Sequence, residues 1–339
     1  MIFPQSAVLE MTYKCNHLCK FCSCPWEASD AKFTKGEELS TQQWKQVIDK
    51  VLDNGSKTIT FTGGEAILRT DIKEIINYAS MAFHKREMSS RIVLISNGRS
   101  LTDELLECFR QNNVQLSLSL PGYKTFKEHT GVDNAEGVLN WIKKSHDVGL
   151  RTTANITVTK LNYDELFKTM SLALIAGADT VLLNRFLPGG RGLKFRNTLE
   201  LSREQINGML DIAEEVLSYA DRYGFTGTEF PKCIIKRGVE HYKHLHIGTH
   251  CSAAKRFFVI GPSGQIRVCN HSPRVIGHIF STPEIQDTDY WNRYINSDYK
   301  PERCKSCMML EDCDAGCRET AGIVHGSISA PDPCMELPC

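Results

Sequence analysis

Residues 15–22 read CNHLCKFC and follow a short apolar run at residues 6–12. Three thiols separated by three residues and then by two can hold three irons of a 4Fe–4S cluster and leave the fourth iron without a protein ligand. Electron carriers usually supply four thiolates, so three thiols indicate a cluster whose open iron binds a further molecule. The alternative is a zinc knuckle that Cys24 or His17 completes.

Strand-like runs alternate with helical patterns through the first half of the chain. Ser40 and Gln43 form a capping box that begins the first helix, and Gly55 ends it. The strand-like runs lie at residues 6–12, 57–65, 91–98, 114–122, 151–159 and 179–190, and the later helical patterns lie at about residues 70–84, 102–112, 134–148 and 162–176. This alternation predicts a parallel α/β sheet of six strands.

Residues that could bind a ligand or take part in a reaction follow the ends of these predicted strands. They are the cysteine loop, Gly63-Gly64-Glu65, Ser96-Asn97-Gly98, Pro121-Gly122 and residues 189–192. In parallel barrels the reacting groups lie on the loops at the carboxyl ends of the strands, and a closed barrel has eight strand–helix units. The sequence therefore predicts an α/β fold with a partial (β/α)6 TIM-type barrel, whose open mouth admits a large substrate.

A second set of cysteines lies in the C-terminal quarter of the chain. Twelve residues separate Cys251 from Gly264, and four separate Gly264 from Cys269. The pattern continues as Cys304-x2-Cys307-x5-Cys313-x3-Cys317 and ends at Cys334. Residues 257–269 read as two short strands around a Pro-Ser-Gly turn, and such a β-hairpin can hold its flanking cysteines rigidly. A pair of zinc ribbons is the alternative, because Cys-x2-Cys spacings also bind zinc.

Both cysteine patterns resemble those of one family. Residues 15–22, with Phe21 before the last cysteine, resemble the signature of the radical S-adenosylmethionine (SAM) superfamily. The C-terminal pattern resembles the SPASM extension that a subset of these enzymes carries. The resemblance implies that the open iron of the first cluster chelates SAM, and that reduction releases a 5′-deoxyadenosyl radical. It also implies two auxiliary 4Fe–4S clusters, which makes three clusters in all.

The resemblance implies particular SAM contacts. Thr62-Gly63-Gly64-Glu65 resembles the GGE motif that holds the SAM ammonium, although Ala66 stands where relatives usually have proline. A glycine pair lets the backbone approach a ligand closely. The predicted cofactor-binding residues are Phe21, Gly63, Gly64, Glu65, Ser96, Asn97, Ser119 and Arg191. Many relatives end the fourth strand in Asp-Gly, whereas this chain has Pro121-Gly122.

The resemblance also implies the cluster ligands. The SAM-binding cluster takes Cys15, Cys19 and Cys22, the first auxiliary cluster takes Cys251, Cys269 and Cys317, and the second takes Cys304, Cys307, Cys313 and Cys334. The first auxiliary cluster then has three thiolates, so either Cys233 or Cys339 completes it or its open iron faces substrate or water. Cys24, Cys233 and Cys339 are also candidate hydrogen donors, which a radical epimerase requires. Cys108 lies on an apolar helix face and is predicted to be core packing.

Three units are predicted along the chain. Residues 1–200 form the barrel, residues 201–250 form a helical linker, and residues 251–339 form a small cysteine-rich SPASM domain with a β-hairpin. A capping box at Ser202 begins the linker helix, and the polar, His-rich segment at 225–250 is predicted to be solvated.

Composition excludes several classes of partner. The chain has 40 basic and 40 acidic residues, so a nucleic-acid partner is not indicated. No stretch approaches the roughly 20 apolar residues of a membrane span, and residues 1–10 lack the features of a secretory signal. The 14 cysteines are therefore predicted to be metal ligands of a cytoplasmic protein rather than a disulfide framework.

The resemblance implies an enzyme that abstracts hydrogen from a ribosomally made peptide or protein, with crosslinking, epimerisation or oxidation as the outcome. A flavodoxin- or ferredoxin-type protein would supply the electron. Only 14 residues precede Cys15, so leader recognition is expected to need a separate leader-peptide-binding protein. The alternatives are a radical dehydrogenase or epimerase of a small molecule such as a sugar, and a non-catalytic metal-binding protein.

Overall fold

The computed structural model describes residues 3–30 and 33–337. Its strands are β1 (Ser6–Glu10), β2 (Thr58–Thr62), β3 (Ile92–Ser96), β4 (Gln115–Ser119), β5 (Thr152–Val158), β6 (Thr180–Arg185), β7 (Gly224–Thr226), β8 (Leu245–His246), β9 (Phe257–Ile260), β10 (Gln265–Arg267) and β11 (Gly277–His278). Its α-helices are α1 (Thr41–Asp53), α2 (Ile72–Lys85), α3 (Asp103–Gln111), α4 (Phe126–Thr130), α5 (Ala135–Asp147), α6 (Leu166–Ile175), α7 (Arg196–Leu199), α8 (Arg203–Ala220), α9 (Thr288–Ile295) and α10 (Arg318–His325).

Strands β1 to β6 are parallel and lie side by side in chain order, with helices between them. This arrangement confirms the predicted partial (β/α)6 barrel. The capping box at Ser40 forms as predicted, because the Ser40 hydroxyl accepts from the backbone of Gln43 and the Gln43 side chain accepts from the backbone of Ser40. Trp44 and its apolar neighbours on α1 are then buried against the sheet.

Alternation along the strands separates the core from the barrel interior. Ile59 and Phe61 of β2 are fully buried in the core, while Thr62 faces the interior of the barrel. On β5 and β6 the interior is lined by Asn155 and Asn184, whose side chains hydrogen-bond at 2.8 Å. The period of two along each strand thus gives the barrel a polar inner wall and an apolar outer layer under the helices.

Short strands extend the sheet at both edges, in the order β11-β10-β9-β1-β2-β3-β4-β5-β6-β7-β8 among the described residues. Strand β9 is parallel to β1, with Ser6 opposite Phe257, and β10 returns antiparallel to β9 as the predicted hairpin. Strands β7 and β8 continue from β6 within the segment predicted to be a solvated linker. The sheet therefore runs across both of the domain boundaries predicted from the sequence.

The acidic side chain of Glu214 on α8 holds β8 in place. Its carboxylate accepts hydrogen bonds from the backbone N–H groups of Lys243, His244 and Leu245 at 2.9 to 3.1 Å. Over residues 3–30 and 33–337, none of the helices combines the length and apolarity that crossing a bilayer requires.

Candidate active site

One cavity of about 1200 Å³ occupies the barrel. The cysteine loop, the Gly63-Gly64-Glu65 turn and the ends of β3 to β7 line it. The same cavity reaches the thiols of Cys251, Cys269 and Cys317 in the C-terminal segment. Two separate cysteine groups therefore share one internal space.

Cys15, Cys19 and Cys22 lie together in one wall of this cavity. Burial, and then the negative charges of Cys22 and Cys15, hold the pKa of Cys19 well above its ordinary value. Burial also raises the pKa of Cys15, whereas a hydrogen bond with the Cys24 thiol lowers the pKa of Cys22. Three crowded thiolates repel one another in a buried wall, and the positive charge of bound irons offsets that repulsion. The donor set fits an iron–sulfur cluster.

Backbone hydrogen bonds fix the cysteine loop. The N–H groups of Leu18 and Lys20 donate to carbonyl oxygens of α4 and its end, at 2.9 and 2.7 Å. The N–H of Gly192 donates to the carbonyl oxygen of Cys22 at 3.0 Å. Gly190 has a φ of +51°, and a Cβ there would lie 2.5 Å from the carbonyl oxygen of Cys24. The glycine-rich segment after β6 therefore packs directly on the loop.

The glycine pair after β2 has a packing role. Gly63 has a φ of +134°, and a Cβ on Gly64 would overlap the carbonyl oxygen of Lys14. The N–H groups of Gly64 and Glu65 donate to the carbonyl oxygens of Thr12 and Lys14, both at 2.8 Å. These two residues therefore hold the chain that leads into the cysteine loop.

Glu65 is buried at the cavity wall, with only 2% of its surface exposed. Its carboxylate accepts from the backbone N–H of Asn97 at 2.7 Å, at the end of β3, and from that of Ile67 at 3.5 Å. Burial raises the pKa of Glu65 to about 7 even though these donors oppose the shift. A cation in the cavity would stabilise the charged carboxylate, so this position suits an amine ligand.

The predicted SAM contacts divide into two groups. Phe21, Gly63, Gly64, Glu65, Ser96, Asn97 and Ser119 all line the cavity. Arg191 is not among its lining residues: its guanidinium forms an ion pair with Glu27 and donates to the carbonyl oxygen of Cys19 at 3.4 Å. Arg191 therefore braces the cysteine loop.

The three unassigned thiols lie in different places. Cys24 lines the cavity, hydrogen-bonds with the Cys22 thiol and lies 3.9 Å from the carbonyl oxygen of Gly63. Cys233 lies near Cys313, outside the cavity lining. The predictions made for Cys339 fall outside the described residues.

Glu229, which the sequence did not single out, lies in the cavity beside the second group of thiols. Its negative charge contributes to the raised pKa values of Cys251 and Cys317, after the larger effect of burial. Burial raises the pKa of Glu229 itself to about 7. The residue follows β7, a strand too short to give a sequence pattern.

A buried ion pair links the barrel to both C-terminal cysteine groups. Asp332 is fully buried and pairs with Arg185 at the end of β6, which is 4% exposed. The Asp332 carboxylate also accepts from the backbone N–H of Cys317 at 2.7 Å and from that of Cys334 at 2.9 Å. One carboxylate thus positions both Cys317 and Cys334.

No three Cys, His, Asp or Glu side chains of the described chain meet around one point as the ligands of a single metal ion do. A 4Fe–4S cluster is instead held from outside, by thiols that bind different irons. In this structure the thiols of both groups lie in the wall of the cavity, as the ligands of a cluster would.

Comparison with known proteins agrees with this geometry. The parallel barrel presents three thiols and a buried acid on a glycine turn, an arrangement that fits an enzyme with an iron–sulfur cluster and a cationic ligand. The family model described as the Radical SAM superfamily matches residues 9–173, which contain both features. This match identifies residues 9–173 as a radical SAM domain, and members of that superfamily use SAM and a 4Fe–4S cluster as cofactors.

Curated relatives match almost the whole chain. A PqqA peptide cyclase of Granulibacter bethesdensis is 27% identical over 345 residues, which cover 98% of this chain and 87% of that protein. A PqqA peptide cyclase of Gluconobacter oxydans is 26% identical over 353 residues, which cover 98% of this chain and 91% of that protein. The aligned region therefore includes the segment of this chain that carries the C-terminal cysteine pattern.

Solved structures share the fold. Streptococcus suis SuiB bound to the precursor peptide SuiA superposes with a TM-score of 0.69 at 14% identity, covering 98% of this chain and 75% of SuiB. Native anSMEcpe with bound AdoMet superposes with a TM-score of 0.74 at 15% identity, covering 98% of this chain and 94% of anSMEcpe. The barrel and the C-terminal extension are both within the superposed region.

Proposed function

We propose that this chain uses a SAM-derived radical to crosslink side chains of a ribosomally made peptide. The observation that carries the proposal is the single cavity that joins the two cysteine groups. Its volume of about 1200 Å³ exceeds the roughly 300–1000 Å³ of ordinary ligand pockets, which leaves room for SAM and a peptide segment together. The PqqA peptide cyclases, which match 98% of this chain, support a peptide substrate and a crosslink.

Three 4Fe–4S clusters are proposed, and the thiols would hold them as follows. The SAM-binding cluster takes Cys15, Cys19 and Cys22; the first auxiliary cluster takes Cys251, Cys269 and Cys317; the second takes Cys304, Cys307, Cys313 and Cys334. When SAM and its cluster are bound, they supply a 5′-deoxyadenosyl radical that abstracts hydrogen from an unactivated carbon. The protein supplies orientation, charge complementarity and exclusion of water.

Residues of the barrel wall would orient SAM. The Glu65 carboxylate, buried and charged when it meets a cation, would accept hydrogen bonds from the SAM ammonium. Asn97 and Ser119 line the same wall and would contact the ribose and the methionyl part. Phe21 would supply an apolar contact near the cluster. Glu229 also lines the cavity and would lie beside the first auxiliary cluster.

The proposed partners follow from the chemistry. A flavodoxin- or ferredoxin-type protein would donate the electron, and a separate leader-peptide-binding protein would deliver the substrate. The described cysteines are all free thiols, which fits the reducing conditions of the cytoplasm.

The test is mass spectrometry of peptides encoded beside this gene, co-expressed with the chain in deuterated water. A crosslink removes two hydrogens from the peptide, and the Cys15→Ala variant should leave the peptide unmodified. Gain of one solvent deuterium would mean epimerisation and direct attention to Cys24, which lies beside Cys22 in the cavity. An unchanged peptide, with SAM still cleaved, would contradict the peptide proposal and favour a small molecule such as a sugar.

A further inference from the structure

The second auxiliary site contains one thiol more than the sequence pattern assigns to it. Cys233 lies on the turn Lys232–Ile234, which packs against the turn Pro333–Met335 that carries Cys334. The backbone N–H of Lys232 donates to the Sγ atom of Cys313 at 3.4 Å. Cys233 therefore lies next to two of the four proposed ligands, although 79 residues lie between it and Cys313 in the sequence.

The thiols at this site interact with one another. Burial raises the pKa of Cys233, and the charges of Cys313 and Cys304 add to the shift. The pKa of Cys334 is in turn raised partly by Cys233, after the larger effect of burial. Cys233 therefore lies within electrostatic range of Cys304, Cys313 and Cys334.

Cys307 lies on a partly exposed turn of the same site. Its N–H donates to the carbonyl oxygen of Cys304 at 3.0 Å, and the next residue, Met308, is fully exposed. Cys233 is also exposed to solvent. Cys233 is therefore the exposed thiol of this site, Cys304, Cys307 and Cys313 are partly exposed, and Cys334 is buried.

We infer that Cys233 is a fifth thiol of the second auxiliary site and ligates its cluster in place of Cys307 when Cys307 is missing. This inference rests on the proposed function, which supplies the cluster. The exchange replaces one iron–sulfur bond with another, and the thiol proton of Cys233 passes to solvent, with no electron transferred. The second auxiliary cluster would thus still have four thiolate ligands in a chain that lacks Cys307.

The test compares five chains after anaerobic reconstitution: the wild type, C307A, C233A, C233A/C307A and the control C108A. Cys108 is a buried thiol on α3 that hydrogen-bonds to Asn77, so its removal changes the thiol count without touching any cluster site. Iron and sulfide per chain are measured together with Mössbauer spectra. Mass spectrometry locates iodoacetamide labels on Cys233.

The wild type, both single variants and C108A should hold the same iron, and the double variant should lose one or more irons per chain. Cys233 should be alkylated in the wild type and protected in C307A. The inference is overturned if C307A loses as much iron as the double variant, or if Cys233 remains reactive in C307A. If the wild-type chain instead holds iron for only one cluster, the two auxiliary clusters in the proposed function are wrong, and this result does not depend on Cys233.

Discussion

Replacing Asp332 by asparagine should destabilise the chain strongly. The substitution keeps the shape of the side chain but removes the ion-pair partner of the Arg185 guanidinium, which is 4% exposed. Breaking a buried ion pair in this way costs about 3–5 kcal/mol. The Asp332 carboxylate accepts hydrogen bonds from the backbone N–H groups of both Cys317 and Cys334, whereas the single amide oxygen of asparagine can accept from only one of them. The lost hydrogen bond adds about 1 kcal/mol to the destabilisation.

The measurement is urea unfolding of the reduced, cluster-free chain, so that metal binding does not contribute. Asp53→Asn is the matched control, because Asp53 pairs with Arg86 at 2.7 Å but is 60% exposed, and such surface pairs contribute about 0–1 kcal/mol. The double variant Arg185→Met with Asp332→Asn should lose less stability than Asp332→Asn alone, since no buried charge remains unpaired. An Asp332→Asn variant as stable as Asp53→Asn, or strictly additive effects, would refute the reasoning.

Three further changes have defined outcomes. Gly64→Ala should displace the cysteine loop and abolish iron binding at its three thiols, whereas Gly248→Ala, whose new Cβ would meet nothing closer than 3.5 Å, should retain full iron content. Glu65→Gln should weaken SAM binding in equilibrium dialysis by about ten- to a hundredfold, because charge-assisted hydrogen bonds contribute about 1.5–3 kcal/mol; unchanged affinity would exclude Glu65 from the SAM site. Burial disfavours the charge of Glu214, but its hydrogen bonds outweigh burial and lower its pKa. The stability it gives is therefore present above the ordinary glutamate pKa and lost as pH falls through the lowered pKa. Glu214→Gln should flatten that acid-side loss in denaturation curves, and the exposed Glu215→Gln should not.

The barrel could be predicted because its strands are long enough to show a pattern. The run at 57–65 contains β2, and its alternation of apolar and polar residues matches the alternation of core and cavity in the structure. Strands β7 and β8 have three and two residues, too few for any period, and β8 depends on the Glu214 carboxylate from a distant helix. Only tertiary contacts could identify them.

The candidate site was predictable where residues follow a strand end and unpredictable elsewhere. Glu65 could be found because it follows β2 within a recognisable turn. Glu229 could not, because nothing distinguishes one acid in a polar segment until the fold places it beside Cys251. The position of Cys233 depends on two short turns meeting across 100 residues of sequence, which no local pattern records.

The ladder between β1 and β9 also limits how the molecule can move during turnover. Both strands are parallel and run toward the cavity, β1 into the loop of Cys15 and β9 into the hairpin that ends at Cys269. Neighbouring strands stay about 4.8 Å apart for as long as their hydrogen bonds persist. A hinge between the barrel and its extension would break this ladder, so such a motion cannot change the distance between the two groups of thiols that line the cavity. Substrate must then enter and leave without the opening of two domains.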